Sequence, residues 1–69
     1  MIKYRIDVLA LLKLRGYTVY RLRADYLMGE ATIQKIRAGG VVYGHTLDLL
    51  CRLLDCQPGD ILEYIPDGD

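Results

Sequence analysis

The sequence predicts an all-α domain of five short helices. Apolar residues recur at helical spacing, helix start and stop residues stand between the apolar groups, and strand signals are nearly absent. With 69 residues, 52% of them apolar and 26% charged, the chain has an ordinary globular composition and room for one domain. We therefore expect a single domain over residues 1–69, with helices at about 6–15, 19–26, 30–38, 45–54 and 58–64.

The first helix is predicted by an apolar face and a stop residue. Its face consists of apolar side chains at i, i+3 and i+4 spacing, namely Val8, Leu11 and Leu12. Gly16 follows as a C-terminal stop. The apolar band of this helix is wider than one core face requires. We therefore expect partial exposure of Ile6, Leu9 or Leu14.

The second and third helices are separated by a three-residue turn, residues 27–29. Thr18 is expected to be the N-cap of the second helix, in which Leu22 and Tyr26 are i, i+4 neighbours. Gly29 can serve as the N-cap of the third helix, which ends at the Gly-Gly pair 39–40. Residues 18–39 thus have the layout of a helix-turn-helix.

The last two helices are predicted around leucines and a proline. After a loop at 41–44, the inward-facing residues of the fourth helix are expected to be Leu47, Leu50, Cys51 and Leu54. Pro58 suits the first position of the fifth helix, and residues 66–69 are expected to fray. Residues 2–4 can also form a short strand, at an edge or at a dimer contact.

Several classes of protein are excluded by what the sequence lacks. No apolar run approaches the ~18 residues of a membrane span, and Asp7 and Lys13 interrupt any signal-peptide core, so we expect a soluble, cytoplasmic protein. Cys51 and Cys56 make a poor zinc set with His45, because structural zinc needs four ligands, and they are expected to be buried apolar residues. With no Ser/His/Asp spacing and no glycine-rich phosphate loop, we expect no catalysis, no cofactor and no small-molecule ligand.

The net charge is zero, but the two halves of the chain differ. Residues 1–37 hold eight basic against three acidic residues, a balance of +5, whereas residues 38–69 hold one against six, a balance of −5. Such asymmetry is typical of a protein with one side that faces a polyanion, although a chance division of solvated charges gives the same count.

The third helix has one apolar face and one small, polar face. At 100° per residue, Ile33 and Ile36 point to one side. The opposite side carries Ala31, Gln34, Lys35 and Ala38. This outward face suits the major groove of DNA, because alanine allows close approach, glutamine bonds adenine and lysine reaches guanine acceptors. The alternative is an ordinary solvated helix face.

The candidate base-reading residues are Glu30, Ala31, Gln34 and Lys35. Glu30 has two possible roles, since it can accept from cytosine or stabilise the helix start. Phosphate contacts are expected from the start of the second helix and from the loop after the third. Their candidates are Thr18, Tyr20, Arg21, Arg23, Arg37, Gly39, Gly40 and Tyr43. For Tyr20 and Tyr43, the competing role is half-buried packing.

At these residues the chain resembles a known family. The stretches TVYRL (18–22), GEATIQKIRAG (29–39) and TLDLLCRLLDCQPGDILEY (46–64) look like the Cro/CI-type (XRE family) helix-turn-helix regulators. They are most similar to the small single-domain group found in bacteria, phages and mobile elements. The chain departs from the family at three positions: the family often has Gln at Val19, Ala at Arg23 and the turn Gly at Leu27.

The resemblance implies a five-helix lambda-repressor-like domain whose third helix enters the major groove. In that family the positions named above as base-reading commonly face bases, and many members bind palindromic operators as dimers through C-terminal helices. The candidate dimer residues here are Leu62, Tyr64 and Ile65.

The favoured hypothesis is therefore a sequence-specific, double-stranded DNA-binding transcriptional regulator, such as a repressor, that acts as a homodimer. Its acidic half would face away from DNA. The alternative is a protein-interaction module on the same fold, antitoxin-like or an antirepressor partner, with weak or no DNA binding. The zero net charge, Val19 and the wide apolar band of the first helix motivate this alternative.

Overall fold

A computed structural model describes residues 1–66, and residues 67–69 of the tail that was expected to fray lie outside the described part. The helices are α1 (Val8–Leu14), α2 (Val19–Ala24), α3 (Glu30–Arg37), α4 (Gly44–Leu54) and α5 (Pro58–Ile61). Two strands, β1 (Ile2–Tyr4) and β2 (Leu62–Tyr64), lie near the two ends of the described chain. None of the helices in residues 1–66 has the length and the apolar run that a bilayer crossing requires.

The all-α prediction is wrong in one respect, because β1 and β2 pair as an antiparallel ribbon. The register places Ile2 opposite Tyr64, Lys3 opposite Glu63 and Tyr4 opposite Leu62. The strand expected at 2–4 is present, and its partner lies in the same chain. The fifth helix was predicted at 58–64 but ends at Ile61. Its last three residues are extended instead, since β1 supplies a ladder of backbone hydrogen bonds from the far end of the sequence.

One core joins the helices to the ribbon. Its buried residues are Val8, Leu12, Leu22, Met28, Ile33, Ile36, Val42, Leu50, Leu54 and Ile61. Around it α1 packs against α3 and α4, and α5 packs against α4 and β2. Met28 and Val42 lie in the predicted turn and loop, yet they are only 6% and 4% exposed. Leu14 is 82% exposed, as the wide apolar band of α1 predicted for at least one of its residues.

Short polar side chains cap the starts of α1 and α2. Thr18 is the N-cap of α2, as predicted, because its hydroxyl accepts a hydrogen bond from the Arg21 backbone N–H at 3.2 Å. Asp7 plays the same role for α1 through the N–H of Ala10, also at 3.2 Å. This cap starts α1 at Val8, two residues later than predicted.

Both cysteines are free and half-buried, and burial raises the pKa of the Cys56 thiol.

The turn between α2 and α3 has a local backbone conformation that the sequence did not predict. The helix ends at Ala24, and Tyr26 adopts a left-handed conformation with φ of 55° and a side chain that is 95% exposed. The second helix was predicted to include Tyr26 as the i+4 neighbour of Leu22, but Tyr26 lies beyond its end. The left-handed residue stands one position before Leu27, where the family often has the turn glycine. The Leu22 carbonyl accepts from the N–H groups of both Leu27 and Met28, at 3.0 and 3.2 Å. This arrangement turns Met28 into the core.

We expect Tyr26→Gly to raise the free energy of unfolding by about 0.5–1 kcal/mol, because glycine adopts a positive φ without the Cβ clash. The exposed tyrosine side chain contributes little packing that could be lost. A urea titration that compares the midpoints at constant slope measures the change.

Tyr20→Gly is the matched control for this substitution. Tyr20 is 80% exposed but lies inside α2, where glycine should lower stability by about 0.5–1 kcal/mol. A loss of stability in both variants would contradict the account of the turn.

Candidate nucleic-acid interface

The two faces of α3 divide as the sequence predicts. Ile33 and Ile36 are 0% and 6% exposed and belong to the core. The exposed residues opposite them are Ala31, Gln34, Lys35 and Ala38. The eight residues of α3 extend about 12 Å, similar to the ~12 Å width of the DNA major groove. Its outer face is thus small at two positions and polar at two others.

The C-terminus of α3 is closed by a Schellman motif. The N–H of Gly39, whose φ is 88°, donates to the Ile36 carbonyl at 3.0 Å, and the N–H of Gly40 donates to the Lys35 carbonyl at 2.8 Å. A Cβ on Gly40 would lie 2.7 Å from Cγ of Lys35 and 3.0 Å from its carbonyl oxygen. The Lys35 stem therefore lies directly against Gly40, and both glycine amides that were predicted to meet phosphate are already hydrogen-bonded within the chain.

The loop after α3 is also tied to the ribbon. The Tyr4 hydroxyl of β1 donates to the Gly40 carbonyl at 2.7 Å, and partial burial raises the pKa of this phenol. In the same loop Tyr43 is 64% exposed, so its ring is not half-buried packing. The same holds for Tyr20 on α2, which is 80% exposed.

Three side chains form a hydrogen-bonded relay across the helix-turn-helix. Arg23 of α2 meets both carboxylate oxygens of Glu30, with Nη2 to Oε1 at 3.2 Å and Nε to Oε2 at 2.5 Å. Gln34 then donates from Nε2 to the Glu30 Oε1 at 2.9 Å. Arg23 and Glu30 are each about half exposed. Glu30 thus has a cationic partner on α2, and the Arg23 guanidinium is engaged inside the chain.

Arg21, another predicted phosphate contact, is held within the chain as well. Its guanidinium pairs with Asp25 at 3.2 Å, donates to the Gly16 carbonyl at 3.2 Å and lies 4.9 Å from the centre of the Tyr17 ring. The contacts with Gly16 and Tyr17 anchor α2 to the loop that precedes it. Thr18, beside them, uses its hydroxyl to cap α2.

The cations without an ion pair in residues 1–66 include Lys35, Arg37 and Lys13. Arg37 and Lys13 line one groove between α1, α3 and the start of α2, together with Val19 and Ile36. Lys13 is not among the phosphate contacts that the sequence predicts. The sequence does place Lys13 in the last turn of the first helix, within the basic half of the chain. Only the packing of α1 against α3, however, brings it to the same groove as Arg37.

The predicted dimer residues lie at the ribbon and not on a C-terminal helix. Leu62 is half-buried and Tyr64 is 65% exposed in β2, and the N–H of Ile65 donates to the Met1 carbonyl at 2.8 Å. A shallow groove beside them is lined mostly by apolar side chains, including Ile2, Tyr43, Leu47, Leu62 and Tyr64.

Comparisons with known proteins agree on one kind of domain. Residues 7–67 match the family model described as a Cro/C1-type HTH DNA-binding domain. A protein of Bacillus subtilis (strain 168) named "Uncharacterized HTH-type transcriptional regulator YozG" is 36% identical over 64 residues, which cover 93% of this chain and 76% of that relative. No solved structure matches the chain.

We expect Gly40→Ala to lower the free energy of unfolding by about 1–3 kcal/mol, because the new methyl group clashes with the last turn of α3. Gly59→Ala is the matched control, since a Cβ there meets nothing within 4 Å. Thermal unfolding of both variants measures the difference. Equal midpoints would contradict the close approach of Gly40 to Lys35.

Proposed function

Since the chain belongs to the Cro/C1-type helix-turn-helix DNA-binding family, we propose that this DNA-binding regulator reads a specific sequence of double-stranded DNA with α3 in the major groove. The observation that carries the proposal is the outer face of α3. That face offers two alanines, an amide and an ammonium group, and its one acidic residue, Glu30, is paired with Arg23.

Each side chain on this face has a chemical use in the groove. Ala31 and Ala38 let the backbone of α3 approach the base edges, and an alanine methyl group can meet the methyl group of thymine. Gln34 carries both a donor and an acceptor, and Lys35 carries donors for the O6 and N7 acceptors of guanine. The Lys35 stem packs against Gly40. Its ammonium group therefore extends toward the DNA from a fixed position at the C-terminal end of α3.

The phosphate contacts in this proposal come mainly from groups that are not engaged elsewhere in residues 1–66. Lys13 and Arg37 line the same groove beside the start of α2, and Tyr20 and Tyr43 are exposed. Arg21 and Arg23 are less available, because leaving their internal partners for a phosphate would break those contacts. Phosphate contacts of this kind hold the protein in register without reading sequence.

The uneven charge lets a neutral chain bind a polyanion. In the proposal the basic half, residues 1–37, meets the backbone, while the acidic half faces away and so avoids repulsion by phosphates. Few free cations mean few released counterions, so affinity at physiological salt should be modest. Such a regulator works in the cytoplasm, where the DNA is.

We further propose that the chain binds its operator as a homodimer through the face that carries Leu62, Tyr64 and Ile65. The apolar groove beside these residues leaves Ile2 and Tyr64 exposed at 41% and 65%. Covering them with a second copy would remove apolar surface from water and stabilise a small domain by mass action. Two-fold symmetry then requires half-sites about 34–36 Å apart.

A second candidate function is a protein-interaction module on the same fold. The internal pairing of Arg21 and Arg23 favours it, because it leaves fewer cations for DNA. The 82% exposure of Leu14 on α1 favours it as well. The two candidates differ in whether the chain binds duplex DNA.

A salt titration of duplex binding tests the main proposal. The log of the affinity should fall linearly with the log of the salt concentration, by about 0.9 for each phosphate contact. Lys13→Ala and Arg37→Ala should each flatten the slope by about one unit, because each removes one contact. Arg52→Ala removes the same charge from α4, in a different groove, and should leave the slope unchanged. No binding to any duplex at ~50 mM salt would favour the interaction module.

Selection of bound duplexes from a random library tests sequence reading. The chain should return an inverted repeat with half-sites one helical turn apart. Gln34→Ala should relax the preference at one base pair of each half-site, at a cost of about 1–3 kcal/mol for each half-site of the selected DNA and little on random DNA. An equal loss on both kinds of DNA would remove Gln34 from the base-reading residues.

A further inference from the structure

We propose that Arg23 acts through Glu30 to orient the amide of Gln34, so that Gln34 turns its carbonyl oxygen to the DNA and selects a base with an exocyclic amino group. Arg23 is then a positioning residue for base reading and not a phosphate contact. The inference rests on the proposed function, because it concerns the same face of α3.

The orientation of the Gln34 amide follows from the chemistry of its partner. An ionised carboxylate only accepts hydrogen bonds, so the group of Gln34 that lies 2.9 Å from Glu30 Oε1 must be its NH₂. One N–H is used in this contact. The groups that remain for DNA are the carbonyl oxygen Oε1, an acceptor, and the second N–H, a donor.

These remaining groups match one base best. Adenine presents an N6 amino donor beside the N7 acceptor in the major groove, and cytosine presents an N4 amino donor. Guanine presents two acceptors, O6 and N7, and thymine presents the O4 acceptor. On either base the Gln34 oxygen, itself an acceptor, would face another acceptor and could form no hydrogen bond with it. The relay therefore selects adenine first and cytosine second, and it disfavours guanine, which can use only the second N–H of Gln34.

Arg23 is what keeps the relay in this arrangement. A free glutamine amide can rotate by half a turn and offer its NH₂ group to guanine acceptors instead. The contact with Glu30 opposes that rotation, and Glu30 is itself held by a hydrogen bond and an ion pair from Arg23 across the turn. Arg23 also neutralises Glu30, whose carboxylate would otherwise stand unpaired beside the phosphates.

The exposure of the pair determines which measurement is informative. Arg23 and Glu30 are 49% and 54% exposed, and an ion pair in contact with water adds little to folding stability. In the complex, DNA excludes water from this surface and the electrostatic contacts strengthen. The relay should therefore change base selection while leaving the unfolding midpoint nearly constant.

The experiment compares base selection by the full chain and four variants, with Arg23→Ala, Glu30→Ala and Gln34→Ala testing the relay. Arg21→Ala is the matched control, because it removes the same charge from the same helix but breaks a pair with Asp25. We expect adenine at one position of the wild-type motif. Arg23→Ala and Glu30→Ala should admit guanine there, with discrimination reduced about 5- to 150-fold, the range of one hydrogen bond left unmade. Gln34→Ala should lose all preference at that position, and Arg21→Ala should keep it.

Two outcomes would overturn the relay while the proposed function stands. In the first, the wild-type chain selects a motif that Arg23→Ala and Glu30→Ala leave unchanged at the Gln34 position. In the second, Arg23→Ala weakens all duplexes alike and flattens the salt slope by about one unit, as loss of a phosphate contact would. A wild-type chain that selects no motif would overturn the proposed function, and the relay with it.

The relay can also be tested without DNA. The side-chain amide resonances of Gln34 in the free protein should shift in Arg23→Ala and Glu30→Ala and stay in place in Arg21→Ala. Resonances that do not respond to Glu30→Ala would overturn the relay whatever the DNA experiments return.

Discussion

The burial of Ile33 and Ile36 is the constraint on which the rest of the interface depends. A helix has a fixed period, so two buried positions determine the direction of every other side chain on α3. Ile33 is fully buried in the core that α1, α2 and α4 also enter through Leu12, Leu22 and Leu50. Apolar packing on the other side of α3 thus keeps its polar face exposed. The Schellman motif ends the helix directly after this face.

Charge pairing divides the basic residues into two groups with different uses. Arg21 and Arg23 have partners inside the chain, whereas Lys13, Lys35 and Arg37 have no ion pair in residues 1–66. At Arg23, where related regulators often have Ala, the extra charge is matched by Glu30 at the start of α3. This pairing turns a departure from the family pattern into a link between the two helices. It also explains how an acidic residue can stand at the proposed DNA surface.

The ribbon explains how so short a chain holds its interface in place. A two-stranded hairpin or ribbon is marginal alone, and this one is supported by Ile61 in the core and by the half-buried Tyr4 and Leu62. The ribbon joins the first residues of the chain to β2. The hydrogen bond from the Tyr4 hydroxyl to the Gly40 carbonyl then joins the ribbon to the loop after α3. The loop after α3 is therefore held from two directions, by the end of α3 and by β1.

The sequence by itself determined the features that depend on neighbours along the chain. These are the five helices within a few residues, the Thr18 cap, the Gly39-Gly40 stop and the outward face of α3, because helical periodicity and capping are local. Tertiary structure alone decided the pairing of β1 with β2, the burial of Met28 and Val42, and the left-handed backbone of Tyr26. It also decided that Lys13 lies beside Arg37 and that Arg23 reaches Glu30. The strand pairing and the two side-chain contacts join residues on different elements, and no pattern of adjacent residues encodes which distant side chain or strand is the partner.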